Sequence, residues 1–161
     1  MRGIGSALLA LWLAVFAPVL GATTWLVDGR PGPAAQQAVN ILAAAAAEGL
    51  QPEDYHAAWL TQAVGAAAQG PALDAAAALR LDDALTAAVQ RYLSDLRTGR
   101  VDPREIHQNY TPAARPVTEP APALPPGITP SALADAVRAA TPQVPLYASL
   151  RSELARYRAL G

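Results

Sequence analysis

The sequence contains no cysteine and no lysine, and it has few of the residues that favour strands. Without cysteine there can be no disulfide, no thiolate metal site and no cysteine nucleophile. The formal net charge of −1 argues against a nucleic-acid binder, because such proteins carry a basic excess on one face. Alanine, the strongest helix former, supplies about a quarter of the 161 residues, while Val, Ile and Phe are scarce. We therefore predict one all-α domain.

The N-terminus has the pattern of a targeting segment. Arg2 precedes an uninterrupted apolar run at 7–20, and small residues at 19–22 offer a cleavage site. The run is short for a spanning helix and contains Pro18 near its end, which favours a cleaved signal peptide (1–22) over a membrane anchor. No later apolar run is long enough to cross a bilayer, so we expect an exported mature chain without a membrane span.

Apolar periodicity and helix-end residues predict a bundle of five or six helices. Gly49 and Gly99 stand where helices end, and Asp102 with Pro103 begins another helix after the corner. Tyr55 and Trp59, spaced i, i+4, are expected to share a buried face. The predicted helices cover 34–50, a segment from 51 to 60, 79–99, a segment from 102, 130–140 and 144–160.

Two helices contain apolar stripes that suggest packing faces. On the 79–99 helix the stripe comprises Leu81, Leu85, Val89, Tyr92 and Leu96. On the last helix it comprises Tyr147, Leu150, Leu154 and Tyr157, which we expect to form one contact face.

A proline-rich segment separates the predicted helices into two groups. Seven prolines occur within the twenty residues 111–130, a density that prevents helix and favours extended geometry. We predict that this connector joins two sub-bundles within a domain covering 23–161.

The residues that could carry chemistry form no recognisable catalytic or metal-binding pattern. His56 and His107 lie on different predicted helices, whereas a zinc site needs three or four converging ligands. Asp82 and Asp83 point about 100° apart on a helix, so we interpret them as charge near a helix N-terminus. We predict no catalytic residue, no metal and no cofactor.

Three arginines around the predicted helix corner form the best candidate binding patch. Arg97, Arg100 and Arg104 carry guanidinium groups suited to carboxylates or phosphates. Arg97 has an alternative interpretation, because a cation in the last helical turn complements the helix dipole.

Three segments of the chain together carry a family pattern: "AAAAEGLQPEDY" (44–55), "LDDALTAAVQRYLSDLRTGRVDP" (81–103) and "PLYASLRSELARYRAL" (145–160). In this order they resemble the scaffold domain of large bacterial murein L,D-transpeptidases. The matching positions are Gly49, Leu50, Pro52, Asp54 and Tyr55 in the first, Leu85, Thr86, Tyr92, Asp95, Leu96, Gly99, Arg100, Asp102 and Pro103 in the second, and Tyr147, Leu150, Arg151, Leu154, Tyr157 and Arg158 in the third.

The resemblance implies a process and a compartment, namely peptidoglycan cross-linking in the periplasm. Members of that family continue into a peptidoglycan-binding module and a catalytic domain whose cysteine forms a thioester, and no such residue can be assigned here. We therefore expect a non-catalytic scaffold or interaction module, with peptidoglycan or cell-wall proteins as partners. The alternatives are the N-terminal fragment of a complete transpeptidase and an unrelated secreted helical chaperone or inhibitor.

Overall fold

The computed structural model describes residues 24–100 and 124–160, and within them the fold is all-α with one small hairpin, which confirms the predicted class. Two 3₁₀ helices, Ala45–Glu48 and Pro52–Tyr55, lie between the first two α-helices. None of the helices in these two ranges is long and apolar enough to cross a membrane. The α-helices are α1 (Pro33–Ala43), α2 (Ala57–Gln69), α3 (Ala75–Thr98), α4 (Pro130–Ala140) and α5 (Pro145–Arg158).

Three predicted features lie outside the described residues. They are the signal peptide (1–22), the helix start at 102–105 and the first part of the connector, 111–123.

A two-residue hairpin begins the described chain. Strands β1 (Leu26–Val27) and β2 (Arg30–Pro31) pair antiparallel. Asp28 and Gly29, with φ of 49° and 72°, form the turn, and an Asp-Gly pair with positive φ matches the twist of the flanking strands. A Cβ at Gly29 would stand 2.5 Å from the carbonyl oxygen of Leu73, and the Leu73 amide donates to Gly29 O at 2.9 Å. Glycine is therefore required where the hairpin meets the loop before α3.

The segment after α1 ends where the sequence predicts, but it forms a 3₁₀ helix instead of continuing the α-helix. The α-helix stops at Ala43, and residues 45–48 of the predicted 34–50 helix form the first 3₁₀ helix. Gly49 adopts the left-handed conformation with φ of 80°. The amides of Gly49 and Leu50 donate to the carbonyls of Ala46 and Ala45, which is the hydrogen-bond pattern of a Schellman motif. Leu50 is buried behind this turn.

The expected pairing of Tyr55 with Trp59 is wrong. Tyr55 is buried at the end of the second 3₁₀ helix, but Trp59, on α2, is 56% exposed. His56 stands between the two helices with φ of 53°, so the chain changes direction there. Because the two aromatic residues do not share one helix, the i, i+4 geometry does not apply to them.

The longest helix, α3, begins before the predicted residue 79. Asp74 is its N-cap and accepts a hydrogen bond from the amide of Ala77 at 2.7 Å. Asp82 and Asp83 therefore lie two turns inside the helix, and their interpretation as N-terminal charge is wrong. The predicted apolar stripe is confirmed, since all five of its residues are buried: Leu81, Leu85, Val89, Tyr92 and Leu96.

Helices on both sides of the proline-rich connector contribute to one core. Ile128 and Leu133, which follow the connector, are buried in the same cluster as Leu42 of α1 and Leu85 of α3. The prediction of two sub-bundles is therefore wrong for α4, because its apolar face packs against α1 and α3. Alanine contributes much of the cluster: Ala34, Ala35, Ala38, Ala45, Ala57, Ala67, Ala78, Ala88 and Ala140.

The shared core makes a testable prediction about Leu133, whose side chain is fully buried. Replacing it in Leu133→Ala should lower the free energy of unfolding by about 2–5 kcal/mol, the usual cost of the lost contacts and the resulting cavity. Urea unfolding followed by circular dichroism measures this cost. The control is Leu79→Ala, since Leu79 is 56% exposed and should change stability by less than about 0.5 kcal/mol. Two separate transitions, with only one shifted by Leu133→Ala, would contradict a shared core.

Candidate functional site

The end of α3 is attached to the second 3₁₀ helix through two side-chain interactions. The hydroxyl of Tyr55 donates to Asp95 Oδ2 at 2.8 Å. Two residues past α3, Arg100 Nε lies 2.8 Å from Asp54 Oδ2, at ion-pair distance but without hydrogen-bond alignment. The Arg100 side chain is 43% exposed, so solvent screens this ion pair more than it does the tyrosine contact. Both interactions hold the end of α3, the described half of the predicted corner, against the second 3₁₀ helix.

Two buried tyrosines lie behind this corner. The rings of Tyr55 and Tyr92 meet edge to face, with centroids 5.5 Å apart and planes at 89°. Burial, followed by the hydrogen bond to Asp95, raises the pKa of Tyr55 well above its usual value. Burial and then the charge of Glu48 raise the pKa of Tyr92 to about 12. The phenol of Tyr55 therefore stays protonated at neutral pH and can donate its hydrogen bond to Asp95.

Glu48, at the end of the first 3₁₀ helix, holds α5. Its Oε2 accepts from the hydroxyl of Tyr147 at 2.8 Å, and its Oε1 lies 2.8 Å from Arg151 Nη2. The Glu48 side chain is 16% exposed, so both carboxylate oxygens are partly shielded from water. Arg151 and Arg158 also donate to the carbonyls of Ala47 and Ala46. One carboxylate thus joins residues about a hundred positions apart along the chain.

The pKa of Tyr147 follows from the same contact. Burial is the largest cause, and the hydrogen bond and charge of Glu48 add to it, so the pKa rises from 10.0 to about 12. The nearby guanidinium of Arg151 acts in the opposite direction.

A buried carboxylate fixes the start of the described chain. Asp82 is 6% exposed, and its Oδ1 accepts from the backbone amide of Trp25 at 2.7 Å. One turn further along α3, Thr86 Oγ1 accepts from the indole nitrogen of Trp25 at 2.9 Å. Trp25 is thereby held by its backbone and its ring, and its side chain is one of the largest in the core.

The structure describes two of the three arginines that were proposed as a binding patch. Arg97 lies partly buried in the last turn of α3, which agrees with its alternative role beside the helix dipole. Arg100 is committed to Asp54, and Arg104 lies outside the described residues. The patch stays a prediction.

The histidines do not converge on a site that the structure describes. His56 is exposed at the start of α2, and His107 lies outside the described residues. Among residues 24–100 and 124–160, no group of His, Asp and Glu side chains is arranged to hold a metal ion.

A shallow groove of about 580 Å³ lies between α5 and the first 3₁₀ helix. Ala47, Arg151, Leu154 and Arg158 are among the residues that line it. Both arginines already bind Glu48 or backbone carbonyls, so the polar groups of the groove serve to attach α5.

This geometry can be compared with known proteins. A family model described as "Scaffold domain" matches residues 14–154. The chain belongs to the Scaffold domain family. The match confirms the resemblance to the scaffold domain of L,D-transpeptidases that the three sequence segments indicated. A search of curated proteins and a search of solved structures each found no match.

Several residues at the matching positions of the three segments have a structural role in this scaffold domain. Gly49 ends a helix, Thr86 binds Trp25, and Tyr55 and Tyr147 donate to acidic side chains. Sequence reasoning missed Glu48 and the role of Asp82. Glu48 stands directly before the helix-ending glycine, but its partners lie far along the chain, and no local pattern identifies them.

The adjacent acids Asp82 and Asp83 provide a matched pair of variants. Asp82→Ala removes a charge-assisted hydrogen bond to a buried amide, so the free energy of unfolding should fall by about 1.5–3 kcal/mol. Asp83→Ala changes an exposed side chain on the same helix and should cost less than about 0.5 kcal/mol. Urea unfolding followed by tryptophan fluorescence checks both values. Equal losses in the two variants would contradict the anchoring role of Asp82.

The attachment of α5 should weaken in alkali. Folding raises the pKa of Tyr147 to about 12, so its contribution to stability is complete below pH 10, the ionisation range of an unfolded tyrosine, and is lost as pH rises towards 12. We expect the free energy of unfolding, measured in urea at pH 8, 10, 11 and 12, to fall across this window. Tyr147→Phe should show a smaller fall, with Tyr55 and Tyr92 supplying the remainder. An unchanged pH dependence in the variant would refute the role of the Glu48 contact.

Proposed function

We propose that the chain is a non-catalytic scaffold module that acts in peptidoglycan cross-linking outside the cytoplasm. Membership in the Scaffold domain family supports the scaffold role. The apolar run at 7–20 after Arg2 supports export to the periplasm through a cleaved signal peptide. Peptidoglycan, or proteins bound to it, are the proposed partners.

The observation that carries the scaffold role is the use of polar side chains as internal attachments. Tyr55 and Asp95 bind each other, and Glu48 binds Tyr147 and Arg151. These contacts join segments that are remote in sequence and hold one helical corner and one terminal helix in place. A module that positions other parts of a cell-wall assembly needs this kind of fixed geometry.

The proposed absence of transpeptidase activity rests on the chemistry of acyl transfer. In the resembling family a cysteine thiolate attacks the peptide stem, and this chain contains no cysteine. Incubation of the purified chain, from residue 23 onwards, with muropeptides should give no cross-linked or exchanged product by mass spectrometry. Detected turnover would refute the non-catalytic role.

The corner beyond α3 is the proposed contact for anionic groups of the cell wall. Arg97 would meet stem-peptide carboxylates together with Arg104, whereas Arg100 already pairs with Asp54. Exposed ion pairs of this kind contribute no more than about 1 kcal/mol each. Binding to isolated sacculi should therefore be weak and should decrease as salt screens the charges.

A sacculus pull-down at low and high salt tests this contact. Arg97→Gln should lower the bound fraction at low salt, because it removes a charge at the corner. Arg80→Gln is the control, since it removes the same charge about 25 Å away along α3, at a rise of about 1.5 Å per residue. Salt-independent binding, or equal losses in both variants, would contradict the proposed patch.

A further inference from the structure

Helix α5 is attached to the domain mainly by polar side chains, and none of its residues is fully buried. Leu150 is 59% exposed and Tyr157 is 77% exposed. A surface helix usually shows the opposite arrangement, with its apolar stripe on the core. The expectation that Tyr147, Leu150, Leu154 and Tyr157 form one contact face is therefore wrong, because Leu150 and Tyr157 lie on the exposed side.

The polar contacts of α5 converge on one short segment. Among residues 24–100 and 124–160, the hydrogen bonds and ion pairs between α5 and other elements all end at residues 46–48 of the first 3₁₀ helix. Of these three residues only Glu48 is charged, and it binds both Tyr147 and Arg151. The Arg151 side chain is 43% exposed, so water reaches the ion pair. The attachment therefore depends on one carboxylate at a contact that water can enter.

The surface beneath α5 adds little apolar packing. The hydrophobic cluster formed by the described residues contains no side chain of α5. The groove of about 580 Å³ lies between the helix and the first 3₁₀ helix, and Ala47 and Leu154 are among the residues that line it. Well-packed contacts leave few voids larger than a water molecule, so α5 gains little from dispersion or burial. Elements with few buried apolar contacts open at a lower free energy than the core does.

The segment between α4 and α5 closes the end of α4 without help from α5. The amide of Thr141 donates to the carbonyl of Val137 at 2.9 Å. The side-chain amide of Gln143 donates to the carbonyl of Arg138 at 3.1 Å. Because these bonds satisfy the end of α4, its buried Leu133 can stay in the core whether or not α5 is attached.

We propose that α5 detaches from the domain as one unit, turning about residues 141–144, and that the charge of Glu48 holds it closed. The structure describes the closed state, in which Glu48 and Arg151 neutralise each other. Opening releases both charges and separates the two sides of the groove. The core keeps its packing in the open state, since α5 contributes no side chain to the hydrophobic cluster of the described residues.

Hydrogen exchange resolved by residue with NMR tests separate opening. The chain from residue 23 onwards is suitable, since it retains every described core residue. Amides at 150–155 should exchange at least about a hundredfold faster than amides at 85–96 of α3, which open only with the core. Low concentrations of urea should speed exchange in α3 but scarcely in α5, because detachment exposes little surface. Equal protection and equal urea dependence of the two helices would overturn the proposal. So would fast exchange confined to the last turn of α5, which is fraying of a helix end.

A charge-neutralising variant tests the role of Glu48. In Glu48→Gln the side chain still accepts a hydrogen bond from Tyr147 but no longer pairs with Arg151. Exchange at 150–155 should rise about fivefold, the effect on an opening equilibrium of one partly exposed ion pair. Glu53→Gln is the matched control, since it removes the same charge from an exposed position on the second 3₁₀ helix and should leave these rates unchanged.

Salt provides a second readout of the same charge. Raising NaCl from about 10 mM to about 1 M should speed exchange at 150–155 about twofold in the unmodified chain and in Glu53→Gln, because salt screens the ion pair. Glu48→Gln should lose this response. Equal exchange rates in the two variants, or a salt response that persists in Glu48→Gln, would overturn the assignment of Glu48 as the group that holds α5 closed.

Discussion

A tyrosine that lies in a protein core needs an acceptor for its hydroxyl, and Tyr55 finds one in Asp95, forty positions further along the chain. Leaving either group buried without a partner would cost about 1–3 kcal/mol. This requirement fixes the second 3₁₀ helix against the last turns of α3. The ring of Tyr55 packs edge to face against Tyr92 of α3, which adds an aromatic contact between the same two elements.

Because the core is rich in alanine, a few polar contacts contribute strongly to the stability of one packing arrangement. Alanine side chains allow helices to approach closely, but each buries little apolar surface, and hydrophobic stabilisation follows buried area. Small, similar surfaces also leave alternative helix registers close in energy. Directional contacts, such as the binding of Trp25 by Asp82 and Thr86, stabilise one arrangement over the others.

The two faces of α5 differ in chemistry. On one face Glu48 holds the helix through a hydrogen bond and an ion pair, which fixes its orientation without burying any of its residues fully. The other face presents Leu146, Leu150 and Tyr157 to the surroundings. In this respect α5 differs from α3, whose apolar stripe lies in the core.

Local sequence patterns determined the all-α class, the stripe of α3, the left-handed turn at Gly49 and the bounds of α4, because each depends on neighbouring residues or on helical periodicity. The tertiary structure decided which stripe is covered: the apolar residues of α3 enter the core, whereas Leu150 and Tyr157 of α5 stay exposed. It also decided that Asp82 binds a backbone amide and that Glu48 binds α5. These outcomes depend on which distant segments meet, and residue spacing along one helix contains no information about its partner.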